Sequence, residues 1–216
     1  ALQFRGGQWY LPRGREPTTH ILKAPRPELA GDLENEHFCL TLAGAVGLPV
    51  VRSTLQRFED QLAIVVERYD RHIQDRRLIR VHQEDACQAL AVHPANKYEA
   101  EGGPGVLAIM NLLNQSSRPL EDRRRFMAAL AFNYVILGTD AHAKNYSLLL
   151  GAQGQVRLAP FYDIASLLPY GRRRRRDEKF AMRVGGHYRD YDLQPRHFES
   201  LARQCGYPAG ELLEQI

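Results

Sequence analysis

The stretch "NYSLLLGAQGQVRLAPFYD", residues 145 to 163, limits the fold more than any other part of the chain. Two apolar runs, "SLLL" and "VRLA", flank the glycine-bearing turn Gly151 to Gln155, which predicts an antiparallel hairpin. The outer ends of a hairpin are neighbours in space. Asn145 and Asp163 are therefore expected to meet, although they stand 18 positions apart. An amide oxygen and a carboxylate form a hard-oxygen pair suited to Mg2+, which takes its remaining ligands from water and phosphate. Asp140, His142 and Lys144 crowd the same loop, and that many polar groups at the edge of a core need partners or a ligand. The bland alternative is a polar turn that caps two elements.

The spacing favours chemistry. An Asp, four residues, then an Asn, followed by a strand, a turn, a strand and a second Asp, is the order of base and metal ligands in protein kinases. Asp140 would accept the proton of an attacking hydroxyl, with Asn145 and Asp163 as metal ligands. "THILKAP" supplies Lys23 near the end of an early strand, where it would meet phosphate, and Glu36 or Glu34 on the next helix offers it a partner. In "VVERYD", Glu67 and Tyr69 would present backbone groups to an adenine, and Asp70 would approach the ribose. Lys144 is expected to pair with Asp140 or to touch phosphate. "GGPG" at 102–105 is not a phosphate loop, because it follows no first strand and lacks the GKS/T ending.

The remaining chain fits a smaller β-rich part, 1–70, and a larger, mainly helical part, 71–216. Strands are expected in "GGQWYLP" and "TTHILKAP", and two more within "VRSTLQRFEDQLAIVVERYDR" around a turn at Phe58 to Gln61. The first helix should start at Asp32 as N-cap, carry the stripe Leu33, Phe38, Leu42 and Val46, and end at Gly47 and Pro49. "QEDACQAL", "VLAIMNLLNQ" and "PLEDRRRFMAALAFNYVILG" read as helices, "HPANKYEAEGGPG" as a polar loop, and "HFESLARQC" as part of a mixed strand and helix tail. Phe132, Tyr134 and Ile136 read as core.

Charge and cysteine usage exclude several classes. The net charge is +4, but Arg172 to Arg176 contribute five positive charges, which leaves −1 for the rest. The chain is thus near neutral with one basic patch, either a solvated loop or a contact for DNA or an acidic partner. Cys39, Cys87 and Cys205 are isolated, so neither a disulfide framework nor a zinc site is expected, and a reducing, cytoplasmic setting follows. No run is long and apolar enough for a membrane span.

The segments "PTTHILK", "ENEHFCL", "VERYDR", "QEDACQAL", "KYEAEGGPG", "GTDAHAKNYS", "APFYDI" and "PRHF" together resemble the HipA family, the Ser/Thr kinase toxins of bacterial HipBA toxin–antitoxin modules. The resemblance runs from about residue 9 to residue 198. It implies an α+β, two-lobed, protein-kinase-like fold related to phosphoinositide kinases, with ATP and Mg2+ as cofactors. By motif, Asp140 is the base, Asn145 and Asp163 the metal ligands, Lys23 the phosphate-binding lysine, and Glu67 and Tyr69 hinge residues. His142 falls where phosphoinositide-type kinases carry a histidine two positions after the base. The resemblance further implies a glutamyl-tRNA synthetase substrate, arrest of translation, persistence, and a HipB-like DNA-binding antitoxin as partner. It places the family's Gly-rich loop and autophosphorylated serine just upstream of Ala1, and more helices beyond Ile216. Two other readings stand beside it: a catalytically silent partner or corepressor in a toxin–antitoxin–DNA complex, and a small-molecule kinase of the phosphoinositide or aminoglycoside type.

Overall fold

The computed structural model describes residues 1–74, 77–171 and 178–216. The arginine run lies outside the described residues. A short hairpin, β1 (Gln3–Arg5) and β2 (Gln8–Tyr10), leads into a three-stranded antiparallel sheet of β3 (His20–Lys23), β4 (Ser53–Phe58) and β5 (Gln61–Glu67). β5 is central, with Lys23 opposite Ile64 and Ser53 opposite Val66. Its unbroken run Ala63–Val66 is buried, as suits a strand covered on both faces. The turn between β4 and β5 is Glu59–Asp60, within the predicted segment.

Helix α1 (Asp32–Ala45) packs against β4 and β5. It turns a different face inward from the one its apolar stripe suggests. Leu33 is buried, but Phe38 is 65% exposed and Leu42 and Val46 are exposed too. The buried face carries Leu33, Glu36, Cys39, Leu40 and Ala43. The i, i+3, i+7 spacing of that face is as helical as the expected one, and tertiary docking chooses between them. The N-cap is Gly31, not Asp32; the Asp32 carboxylate instead accepts from Arg26 Nε at 2.9 Å and from the Arg26 backbone N–H at 3.1 Å.

After β5 comes a hairpin that the sequence reading did not separate, β6 (Arg71–Gln74) with β7 (Arg77–Arg80). "QEDACQAL", expected to be helical, is divided. Its first residues belong to β8 (His82–Asp85), and only α2 (Ala86–Ala89) is helix, started by an Asp85 and Gln88 capping box. Helices α3 (Val106–Leu113) and α4 (Pro119–Val135) follow as predicted, α4 with proline at its first position. Ile136 is buried, and Phe132 and Tyr134 pack against the core. The predicted hairpin forms from β9 (Ser147–Leu150) and β10 (Val156–Leu158), with Leu150 opposite Val156. β8 adds to its other edge. The tail at 195–205 is helix without strand: α5 (Pro195–Gln204), followed by α6 (Ala209–Leu213).

One apolar cluster joins both halves, from Leu33 and Ile64 through Phe126 and Met127 to Leu212. Cys39, Cys87 and Cys205 are buried and free. No helix among the described residues is long and apolar enough to cross a membrane.

Candidate active site

The hairpin does what its turn predicts. Asn145 Nδ2 donates to the Asp163 carbonyl at 3.5 Å and to the Asp140 carbonyl at 3.2 Å. The meeting runs through the backbone, which ties both acidic positions to one buried amide. Asn145 has spent its donor end, so its oxygen is the end suited to a cation. Asp163 has φ +58°, a left-handed conformation that Asp tolerates better than most residues and that clusters at functional sites. Its carboxylate is 52% exposed.

Lys23 closes the arrangement from the other half of the molecule. Its Nζ lies 2.8 and 2.9 Å from the two oxygens of Glu36 and 2.7 Å from Asp163 Oδ1. Burial acts to lower its basicity, but the Asp163 and Glu36 carboxylates outweigh it and hold Lys23 above the usual lysine value. Burial pushes the Glu36 carboxyl up, against the pull of Lys23. Of the two candidate partners on α1, the structure selects Glu36, because it lies on the buried face.

Three ties hold the Asp163 segment to this half. Val51 N–H donates to the Phe161 carbonyl at 2.9 Å, and Phe161 N–H to the Pro49 carbonyl at 2.8 Å. The Asn35 side chain donates to the Ser166 carbonyl at 2.7 Å and accepts from the Ser166 N–H at 3.1 Å, as a neighbouring strand would. Gly138, between α4 and the Asp140 loop, allows the close approach on the other side. A Cβ there would stand 2.5 Å from Asn133 Oδ1 and 3.3 Å from the Ala165 carbonyl.

Asp140 faces a cavity of about 600 Å3, whose wall also includes Lys23, Glu36, Asp163, Ser166 and Tyr98. Tyr98 Oη donates to Asp140 Oδ1 at 2.6 Å. By sequence, Tyr98 lies in a polar loop, and its one signal is an aromatic residue inside "KYEAEGGPG". His142 is buried behind, with its ring edge-on to Tyr98 at 5.3 Å. Burial pushes the His142 imidazole below its ordinary value, despite the attraction of Asp140.

Two expected placements are corrected. Lys144 does not pair with Asp140: its Nζ lies 2.7 Å from Asp85 Oδ2, where it fastens the loop to the start of α2. Asp70 is buried rather than open to a ribose. Arg68 grips it through two bonds of 3.0 and 2.7 Å, and Arg71 adds a third contact at 2.7 Å. Burial alone would raise its carboxyl, but the guanidiniums outweigh that and hold it below the usual range. The Glu67 N–H is spent on the Arg52 carbonyl at 2.9 Å. Tyr69 stacks on Tyr162 at 5.8 Å and bonds Gln83. Glu67, Tyr69 and Asp70 stand outside the wall of the cavity, as do His142, Lys144 and Asn145.

The donor set fits Mg2+. Its oxygens are hard, one is a carboxylate and one an amide, and too few to hold the ion without phosphate and water.

The HipA-like C-terminal domain family matches residues 2–216. A putative kinase of Sinorhizobium fredii, Y4mE, is 39% identical over 202 residues, 93% of this chain and 47% of that protein. The serine/threonine-protein kinase toxin HipA of Shewanella oneidensis is 28% identical over 182 residues, 78% of this chain and 41% of its own. Among solved structures, HipA of Shewanella oneidensis in complex with HipB and operator DNA matches with TM-score 0.89 at 23% identity, over 99% of this chain and 52% of that one. The Helicobacter pylori proinflammatory kinase CtkA matches with TM-score 0.62 at 10% identity, over 99% of this chain and 80% of that one. The fold is α+β and kinase-like. The chain spans about half the length of the curated relatives it matches. It belongs to the HipA-like C-terminal domain family.

Proposed function

We propose that the protein is an ATP- and Mg2+-dependent serine/threonine protein kinase, and the toxin of a toxin–antitoxin module working in the cytoplasm. The observation that carries this is that Lys23, Glu36, Asp140 and Asp163 share the wall of one cavity, with Asn145 bonded to the backbone carbonyls of Asp140 and Asp163. Bound Mg-ATP supplies the phosphoryl group, and the metal neutralises charge on its phosphates. Asn145 Oδ1 and the Asp163 carboxylate would hold that metal. Lys23 offers a cation to phosphate while Glu36 keeps it aimed. Asp140 accepts the proton of the acceptor hydroxyl. Phosphoryl transfer asks little more of a protein than this positioning and charge.

The family resemblance supports glutamyl-tRNA synthetase as the acceptor, with translation arrest and persistence as the outcome. The HipA–HipB–DNA neighbour supports a HipB-like antitoxin. Arg172 to Arg176 would then serve DNA or the antitoxin, in which case their contribution falls steeply with salt.

The test is phosphate transfer by the full-length protein, offered protein and small-molecule acceptors side by side. Asp140→Ala should lower turnover by about 10²–10⁴-fold, the usual worth of a general base. Wild-type turnover in that variant would end the reading, and transfer to small molecules alone would redirect it. One observation favours the silent-partner reading: Lys23 already occupies Asp163 Oδ1. Thermal stabilisation by Mg-ATP separates the two, because a silent partner gains none.

A further inference from the structure

We propose that Tyr98 is a positioning residue for the base: its hydroxyl pins one oxygen of Asp140 so that the other is presented to the acceptor hydroxyl. The inference rests on the reading of Asp140 as base.

A carboxylate on a short side chain rotates broadly about its last torsion. A base needs one oxygen held within hydrogen-bond reach of the proton it takes. Tyr98 Oη holds Oδ1 at 2.6 Å, and Asp140 and Tyr98 share one wall of the cavity, with Lys23 and Asp163 also on its wall. Oδ2 is the oxygen left for the acceptor. The phenol acts as donor only: burial and the Asp140 charge push it well above the ordinary tyrosine value. It neither competes for the proton nor loses its own at working pH.

The surroundings of Tyr98 keep it in place. Ala143 N–H, on the Asp140 loop, donates to the Lys97 carbonyl at 3.3 Å. Glu99 N–H donates to the Ala181 carbonyl at 3.1 Å, and Ala181 N–H to the Thr139 carbonyl at 2.9 Å, next to Asp140. The Glu99 carboxylate meets Arg183 Nε at 2.9 Å. Gly103 N–H donates to the Tyr98 carbonyl at 2.9 Å, and a Cβ at Gly103 would stand 2.2 Å from the Asn96 carbonyl oxygen. The "GG" of "KYEAEGGPG" thus lets the loop fold tightly behind the tyrosine. On its other side the ring meets the edge of His142. Two segments 42 residues apart are locked into one unit that ends in a single hydrogen bond.

The test compares full-length wild type, Tyr98→Phe and Asp140→Ala in phosphate transfer to a protein acceptor. Phe keeps the ring on His142 and removes one oxygen. Tyr98→Phe should lower kcat roughly 10- to 100-fold, as expected for one hydrogen bond to a charged group, with the KM for ATP unchanged. Fluorotyrosine at position 98, a donor of the same shape, should keep kcat near wild type, which ties the loss in the Phe variant to the missing hydroxyl and not to poor folding. Wild-type kcat in Tyr98→Phe, with Asp140→Ala inert, would overturn the role of Tyr98 alone. An active Asp140→Ala would overturn the base assignment and this role with it.

Discussion

Lys23 Nζ lies 2.7 Å from Asp163 Oδ1, across 140 residues of sequence. The bond joins the last residue of β3 to the segment that follows β10, so the two halves of the molecule share one charge cluster. Both carboxylates hold Lys23 above the usual lysine value. Stability drawn from that shift is therefore present below the ordinary lysine range and is lost only as pH rises through the higher folded value. Asp163→Ala should abolish Mg2+-dependent nucleotide binding in the full-length protein. The measurement is the rise in Tm on adding Mg-ATP, and a wild-type rise would remove Asp163 from the metal site.

Asn35 is another tie between the halves, and Glu36 is its neighbour. Asn35→Ala leaves the Ser166 N–H and carbonyl without their partner. At about 1–3 kcal/mol for each buried group left unpaired, the loss should be roughly 2–6 kcal/mol in urea unfolding. Asn35→Asp keeps the acceptor and loses the donor, so its cost should fall between wild type and Ala. Equal stability of all three would show that the segment is held elsewhere.

The two faces of α1 can be told apart by truncation. Leu40 is buried, so Leu40→Ala should cost about 2–5 kcal/mol. Phe38 is exposed, so Phe38→Ala should stay within about 0.5 kcal/mol. The reverse order in chemical denaturation would restore the stripe of Phe38, Leu42 and Val46 to the core.

Asp122 is fully buried and ties α4 to β10. It accepts from Arg157 Nε at 3.1 Å, from Leu158 N–H at 3.0 Å and from Arg125 at 3.1 Å, and it also bonds Ser116. Burial alone would raise its carboxyl, but Arg157, Ser116 and the Leu158 amide outweigh that and hold it below the usual range. Its folded value lies beneath its unfolded one. The contribution is thus complete above about pH 4 and disappears as pH falls through the lower folded value. Asp122→Asn should flatten the acid side of the stability curve, and Asp122→Ala should cost about 3–5 kcal/mol at neutral pH. An Asn variant with the wild-type acid limb would contradict this.

The meeting of Asn145 with Asp163 was legible because its geometry is local. A short turn forces the ends of β9 and β10 together, so Asn145 and Asp163 meet wherever the hairpin goes. The partners of the neighbouring charges were not legible. Lys144 had Asp140 four residues away and chose Asp85, 59 residues away, because β8 pairs with β9 and brings Asp85 alongside Ser147. Asp70 looked available because its two arginines, Arg68 and Arg71, are also common at surfaces, and only burial turned them inward.

By itself the sequence determined the elements whose signals lie within a few residues: the β4–β5 and β9–β10 turns, the proline start of α4, and the order of Lys23, Asp140, Asn145 and Asp163. The tertiary structure decided which face of α1 is buried, hence that Glu36 holds Lys23, and which distant loop brings Tyr98 to Asp140. The reason is one of range. Turn and capping preferences act between neighbours along the chain. A helix rotates a full turn in under four residues, so its inward face is fixed only by the surface on which it docks.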